Sequence, residues 1–317
     1  MKKRQVAWIL IGLVGLCLGG CQTSGPGKSL TRKTDIRLKG LRRNYRMYIP
    51  QSYRADRAMP LVVVIHGAFS TAKKVEAETG FSRLAEEQGF LVAYPNGFGL
   101  FGFLQHWNAG HCCGKAKKDG IDDVGFLATV IDDIKQWTAV DASRIYMVGF
   151  SNGGMLVHRF AVERSDTVAA VAALAASIGG REEKEEQVWR IPVPKQPVPM
   201  LIMHGDADDS VPFAGGESGR HDGQYYLSVE ETTGFWRKHN GCHPEAQRLT
   251  THQGHLEIQT WPALHGQSDT VLYRLKDWSH QWPGLTYTAK LPSEDGLRDF
   301  DGTRIIWEFF ADKRRSD

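Results

Sequence analysis

An α/β fold, a doubly wound and mostly parallel sheet with helices on both faces, is predicted by three observations. Continuous apolar runs at residues 60–65, 90–94, 145–150, 168–176 and 200–203 have the unbroken character of strands buried on both faces. Most of them are separated by stretches whose apolar residues recur at helical spacing. The resulting β-α-β-α-β order is that of a parallel sheet covered on each side by helices.

Taken in order, the chain opens with a basic segment, Met1-Lys2-Lys3-Arg4, and an apolar run over residues 6–18. That run has signal-peptide length and is short for a membrane-spanning anchor. It ends in Leu18-Gly19-Gly20-Cys21, which resembles a bacterial lipobox. Residues 1–20 are therefore expected to be removed, and Cys21 to carry lipid that tethers the protein to a membrane of the cell envelope. Residues 21–34 are polar and glycine-rich and read as a flexible tether. Residues 35–317 are expected to form one domain, a length that suits a single core.

Within that domain, residues 35–41 and 43–49 read as two short strands, a hairpin at the sheet edge. After the strand at 60–65, helical spacing runs over 73–88 through Val75, Phe81, Leu84 and Ala85. The strand at 90–94 leads into a glycine- and aromatic-rich loop, 98–120, longer than ordinary connections. Asp122 and Asp123 open a helix over 124–138, where carboxylates suit the positive end of the backbone dipole. The charge run and prolines of 179–198 read as a solvated surface loop. Ser228 with Glu231 forms a capping-box pattern ahead of a helix to residue 240. Strands at 256–261 and 270–275 and a terminal helix at 303–313 complete the domain.

The charge balance excludes some function classes. The chain has 39 basic and 36 acidic residues, and loss of Lys2, Lys3 and Arg4 with the signal would even them. A balanced domain gives no reason to expect nucleic acid, and no obligate protein partner is evident. Three cysteines, Cys112, Cys113 and Cys242, would remain beside the lipidated Cys21. In an oxidising envelope, three thiols suggest one disulfide and one thiol left over. Cys242 bonded to one of the adjacent pair is the expected arrangement, with a bridge between Cys112 and Cys113 as the alternative. The flanking His111 and His243 do not complete a usual zinc pattern, so no metal is expected.

The chemistry centres on Gly149-Phe150-Ser151-Asn152-Gly153. A strand precedes this G-x-S-x-G match and a helical pattern follows it, which is the context the motif requires. The sharp turn lifts the Ser151 hydroxyl clear of the sheet. A serine hydroxyl is a poor nucleophile until a base takes its proton, and the base needs an orienting carboxylate. In a sheet of this type the acid and then the histidine follow the serine in the chain. Asp206, Asp208 and Asp209 lie after the strand ending at Met203, and pattern alone does not choose among them. Of seven later histidines, His280 sits in the loop between the last strand and the last helix, where the base belongs. His239 and His243 belong to the cysteine region, His221 and His252 to polar stretches, and His255 and His265 flank a strand. The backbone N–H groups of Asn152 and Ala68 are the expected donors to an oxyanion.

With these elements in place, the chain resembles the secreted polyhydroxybutyrate depolymerase and feruloyl esterase family of the α/β-hydrolase superfamily. The resemblance runs from Arg46 to Gly284. It is carried by Pro60-Leu-Val-Val-Val-Ile-His-Gly67, Trp107-Asn-Ala-Gly-His-Cys-Cys-Gly114, Asp122-Asp-Val-Gly-Phe-Leu127 and Gly149-Phe-Ser-Asn-Gly-Gly-Met155. It continues through His204-Gly-Asp-Ala-Asp-Asp-Ser-Val-Pro212, Phe235-Trp-Arg-Lys-His-Asn-Gly-Cys242 and Ser279-His-Gln-Trp-Pro-Gly284. The family pattern His-Gly-x-x-Asp-x-x-Val-Pro implies Asp208 as the acid, and Gly-His-x-Trp-Pro-Gly supports His280, with Ser279 in place of the usual glycine. The resemblance also implies a disulfide from Cys112 or Cys113 to Cys242, taken here as Cys113–Cys242. The implied activity is serine-dependent hydrolysis of polyester, short-chain or feruloyl-type esters without a cofactor. Trp107 and Trp282 are candidates to line the substrate pocket, with packing as the alternative for each. A peptidase with the same triad, or a non-catalytic envelope lipoprotein, are the competing readings.

Overall fold

The computed structural model describes residues 28–38, 40–99, 104–182, 185–221, 223–266 and 268–315. The signal segment and Cys21 lie outside these residues. Strands β1 (Lys28–Leu38) and β2 (Leu41–Ile49) pair antiparallel. The chain continues through β3 (Met59–Ile65), α1 (Ala72–Thr79), α2 (Phe81–Gln88), β4 (Leu91–Pro95), α3 (Gly114–Lys118) and α4 (Asp123–Trp137). Next come β5 (Val140–Phe150), α5 (Asn152–Glu163), β6 (Ala170–Leu174), β7 (Gly179–Arg181), β8 (Trp189–Arg190) and β9 (Met200–Gly205). The last part holds β10 (Gly216–Glu217), β11 (Tyr225–Tyr226), α6 (Val229–His239), β12 (Gln247–Thr251), β13 (Leu256–Trp261), β14 (Thr270–Leu275), α7 (Leu285–Thr288) and α8 (Gly302–Ala311).

Ten strands make one sheet in the order β1-β2-β4-β3-β5-β6-β9-β14-β13-β12. The six from β4 to β14 run parallel, and antiparallel pairs close both edges. Alternation along β3 shows why its run is apolar throughout. Leu61, Val63 and Ile65 join the core under α4 and α5, while Val62 and Val64 join the core under α1, α2 and α8. Each fully buried side chain of this kind contributes about 1.5–3 kcal/mol relative to exposure. A small sheet, β10-β11-β7-β8, lies apart from the main one.

Four expectations change in detail. The helix over 73–88 is two helices, because Gly80 at φ 73° takes the left-handed conformation that ends α1 and precedes α2. The strand expected from residue 35 begins at Lys28, so the later half of the presumed tether is paired along β2. The 179–198 loop contributes β7 and β8 to the small sheet. Strand β12 is an addition, since its polar residues, mostly exposed, show no apolar alternation.

The disulfide expectation is corrected. Cys112 and Cys113 are joined to each other, and Cys242 is a free thiol. Position explains this. The Cys242 sulfur lies 3.5 Å from Thr270 Oγ1, and Thr270 pairs with Met200 at the start of β9. Cys112 instead approaches Asn152, just beyond the end of β5. The cysteines therefore sit at opposite ends of a parallel sheet.

Two buried polar systems hold the connections around the turn from β5 into α5. Arg43 on β2 donates to Asp123 Oδ1 at 2.5 Å and to Asn96 O at 3.0 Å. Asp123 Oδ2 accepts the Asn108 N–H at 2.7 Å, so one carboxylate ties the long loop to the sheet edge. The guanidinium also lies over the Phe126 ring. The second system is a set of buried histidines. His66 bonds Gly67 O through Nδ1 and accepts the Gly97 N–H at Nε2. His158 Nδ1 accepts the Trp236 indole N–H at 3.0 Å, and His204 Nε2 bonds Val211 O at 2.8 Å. Burial holds the pKa of His66 at about 4, and those of His111 and His158 at about 3.

Asp123→Ala is expected to lower stability by about 3–5 kcal/mol in urea unfolding, because it strands a buried guanidinium. Adding Arg43→Ala should cost less than the sum of the two single changes. The histidines predict acid sensitivity. The unfolded chain takes up their protons near pH 6.5, whereas the folded chain resists uptake until about pH 4 or 3. Stability is thus complete above pH 6.5 and falls as the pH drops, by about 1.4 kcal/mol per pH unit for each buried histidine. Urea unfolding between pH 7 and 4.5 should show this slope, with a smaller slope in His158→Gln.

Candidate active site

The turn from β5 into α5 sets the site. Ser151 adopts φ 55° and ψ −127°, a conformation that costs a non-glycine residue of the order of 1–3 kcal/mol. The two flanking glycines are dictated by contact. A Cβ on Gly149 would lie 2.4 Å from Gly153 O, and one on Gly153 would lie 2.4 Å from His66 O. Only bare backbone lets strand, turn and helix come this close. The Ser151 N–H donates to Leu174 O at 2.8 Å, which pins the turn to the neighbouring β6.

His280 lies in the loop between β14 and α7, and its Nε2 is 2.9 Å from Ser151 Oγ. Its Nδ1 is 2.7 Å from Asp208 Oδ2. The Asp208 carboxylate is buried, and its other oxygen accepts the N–H groups of Ser210 and Val211, each at 2.9 Å. These bonds fix the carboxylate and leave one oxygen facing the imidazole. The structure thus separates the three aspartates after β9. Asp209 is solvent-facing and pairs with Arg220 at 2.7 Å. Asp206 is bound to Arg274 and accepts the Asp277 N–H at 2.7 Å, which fastens the aspartate loop to the loop carrying His280.

Ala68 and Asn152 flank the serine. Neither backbone N–H has a hydrogen-bond acceptor among the described residues. The Asn152 side chain works elsewhere. Its Oδ1 accepts the Trp107 N–H at 2.8 Å, and its Nδ2 donates to Trp107 O at 3.0 Å. Trp107 is itself fully buried, and its indole N–H donates to His66 O at 2.9 Å. This corrects the expectation that Trp107 lines the substrate pocket: the ring is held in the core against His66 and Phe126. Trp282 does border a cavity, with its indole N–H donated to Thr303 Oγ1 at 3.0 Å.

Ser151 stands between two cavities. The larger, about 290 Å³, is lined among others by His280, Trp282, Tyr287, Val75 and Glu78. The smaller, about 200 Å³, is lined by Asn152, Met155, Tyr226, Gln224 and the Cys112–Cys113 pair. Ala68, Phe69 and His221 border both. Phe69, Tyr226, Gln224 and Tyr287 are not legible in the sequence as site residues, since each lies in a segment that carries no chemical motif. His221 is exposed, as its polar surroundings suggest, yet it reaches the rim of both cavities. No group of three or more potential metal-ligating side chains occurs among the described residues.

Known proteins resemble this chain in sequence and fold. Residues 43–185 match the family described as esterase PHB depolymerase. The protein named "Putative esterase NocK" of Nocardia uniformis subsp. tsuyamanensis is 30% identical over 283 residues, covering 85% of this chain and 78% of its own. Feruloyl esterase B of Piromyces equi is 31% identical over 204 residues, covering 63% of this chain but only 36% of the Piromyces protein. Among solved structures, an acetyl xylan esterase from Aspergillus awamori superposes with a TM-score of 0.58 at 15% identity, over 90% of this chain and 99% of that one. A ferulic acid esterase from Anaeromyces mucronatus gives 0.56 at 12% identity, over 92% of each chain. These two likenesses speak to the fold, which is that of the α/β-hydrolases. The chain is a carboxylic ester hydrolase of the serine esterase type, and it belongs to the esterase PHB depolymerase family.

Proposed function

We propose that the chain hydrolyses carboxylic esters by acyl transfer through Ser151, His280 and Asp208. The reading rests on one observation: Ser151 Oγ, the His280 ring and the buried Asp208 carboxylate form a continuous hydrogen-bonded line that opens onto two cavities. His280 Nε2 takes the serine proton as Oγ attacks the ester carbonyl. Asp208 stabilises the imidazolium that results. The N–H groups of Ala68 and Asn152 hold the tetrahedral oxyanion. Collapse expels the alcohol, which receives the proton from His280. Water then attacks the acyl-enzyme and gives its proton to His280; as the second tetrahedral intermediate collapses, His280 returns that proton to Ser151 Oγ and the carboxylic acid leaves.

The substrate class follows the relatives: hydroxyalkanoate polyesters, short-chain esters or feruloyl-type esters, with Trp282 as a wall of the site. Hydrolysis of p-nitrophenyl esters, methyl ferulate, acetylated xylan and hydroxybutyrate oligomers by residues 22–317 tests this. Ser151→Ala should lose about 10⁴–10⁶ in kcat, and Asp208→Asn about 10⁴. Asp209→Asn, on an exposed pair, should leave the rate unchanged. No turnover of any ester above the Ser151→Ala background would remove the proposal.

We further infer that Cys21 is acylated after removal of residues 1–20, which places the enzyme on a membrane of the cell envelope. Support comes from the basic and apolar start of the chain and its Leu18-Gly19-Gly20-Cys21 ending. No helix among the described residues is long and apolar enough to cross a membrane. Metabolic labelling with an alkynyl fatty acid should mark the full-length chain in its native type of host. Cys21→Ser should abolish the label and release the protein from the membrane fraction.

A further inference from the structure

The position of His280 decides which half of an ester enters which cavity. Around the tetrahedral carbon, Ser151 Oγ takes one position and the oxyanion, facing the Ala68 and Asn152 N–H groups, takes a second. The leaving oxygen must take the position facing His280 Nε2, since that nitrogen returns its proton. The acyl substituent is left with the fourth direction. Only the larger cavity is walled by His280. The smaller borders Ser151 and Asn152 and has no contact with the histidine.

We propose, resting on the esterase reading above, that the 200 Å³ cavity is the acyl site and the 290 Å³ cavity receives the alcohol. The acyl site is lined by Met155 on α5, Tyr226 on β11, Gln224 and the Cys112–Cys113 pair. A cavity of about 200 Å³, open on one side to solvent, seats a compact acyl group of about one ring. The alcohol site is walled by Val75 and Glu78 on α1, Tyr287 on α7 and Trp282. Phe69 divides the two. It borders both, its φ is 59°, its N–H donates to Gln105 O at 2.8 Å, and its ring meets His106 edge-on at 4.5 Å. Those loop contacts hold its backbone in the left-handed region, and its ring, 59% exposed, stands at the rim between the two cavities. Gln224 and Tyr287 are therefore specificity residues for opposite halves of the substrate.

The test uses two ester series: p-nitrophenyl acetate, butyrate and hexanoate, which vary the acyl group, and methyl, benzyl and naphthyl acetate, which vary the alcohol. Gln224→Trp fills the acyl site and should lower the butyrate-to-acetate ratio of kcat/KM by about tenfold, without moving the naphthyl-to-methyl ratio. Tyr287→Ala should move the naphthyl-to-methyl ratio and leave the acyl ratio in place. Burst kinetics give a second readout, because the alcohol has departed before deacylation. Tyr287→Ala should change the burst rate and keep the wild-type deacylation rate. If Gln224→Trp does not fold, this measurement decides alone. A Tyr287→Ala enzyme with altered acyl preference or altered deacylation overturns the assignment. Failure of the esterase reading looks different: no burst and no Ser151-dependent turnover in the wild type.

Discussion

The close approach of β5 and α5 at Ser151 is the constraint from which the rest of the site follows. With a methyl group on Gly149 or Gly153, the helix would have to move away from the sheet, since backbone atoms stand 2.4 Å from where that carbon would be. The approach does three things at once. It forces Ser151 into its positive-φ conformation and so lifts Oγ above the strand ends. It starts α5 at Asn152, whose N–H has no hydrogen-bond acceptor among the described residues. It also brings the Asn152 side chain to the backbone of Trp107, which anchors the long loop between β4 and α4. One steric fact thus sets the conformation of Ser151, the start of α5 and a wall of the smaller cavity. The strain of one residue is offset by packing spread over two buried cores.

The histidine and its carboxylate are positioned by a different device. Their loops follow β9 and β14, which are paired in parallel register. Asp206 then joins the loops directly, through Arg274 and the Asp277 N–H. Gly205 allows this closeness, since a Cβ there would meet Trp278 O. The result is a pair of joined loops that places His280 within hydrogen-bond distance of Ser151 across more than a hundred residues of sequence. Two aspartates near one another therefore do unlike work. Asp208 faces the imidazole, and Asp206 holds the loop that carries it.

Much of this is legible in the residues. The apolar runs mark the central strands because a strand buried on both faces has no polar side to confuse the pattern. Ser151 is legible because its turn requires small residues at fixed offsets. Asp208 is not separable from Asp206 and Asp209 by spacing, as all three sit in one loop and differ only in what each side chain meets. Trp107 departs from expectation because an aromatic in a glycine-rich loop looks the same whether it faces a cavity or the core. The expected Cys242 pairing fails for a related reason. Counting thiols says how many bonds can form, while the end of the sheet on which each thiol lies says which do. Strand β12 is invisible in the sequence because it gains its place from backbone pairing with β13 rather than from burial.

That outermost strand has a consequence for how copies of the protein behave toward one another. An edge strand presents free N–H and C=O groups that can template pairing with a second chain. Here the edge is only five residues long, is rich in polar side chains, and carries Arg248, whose guanidinium is paired to Glu257 on the adjacent strand. Short, charged edges of this kind disfavour sheet extension between molecules. On the β12 side, the ten-stranded sheet thus ends in a border that disfavours pairing with a second copy.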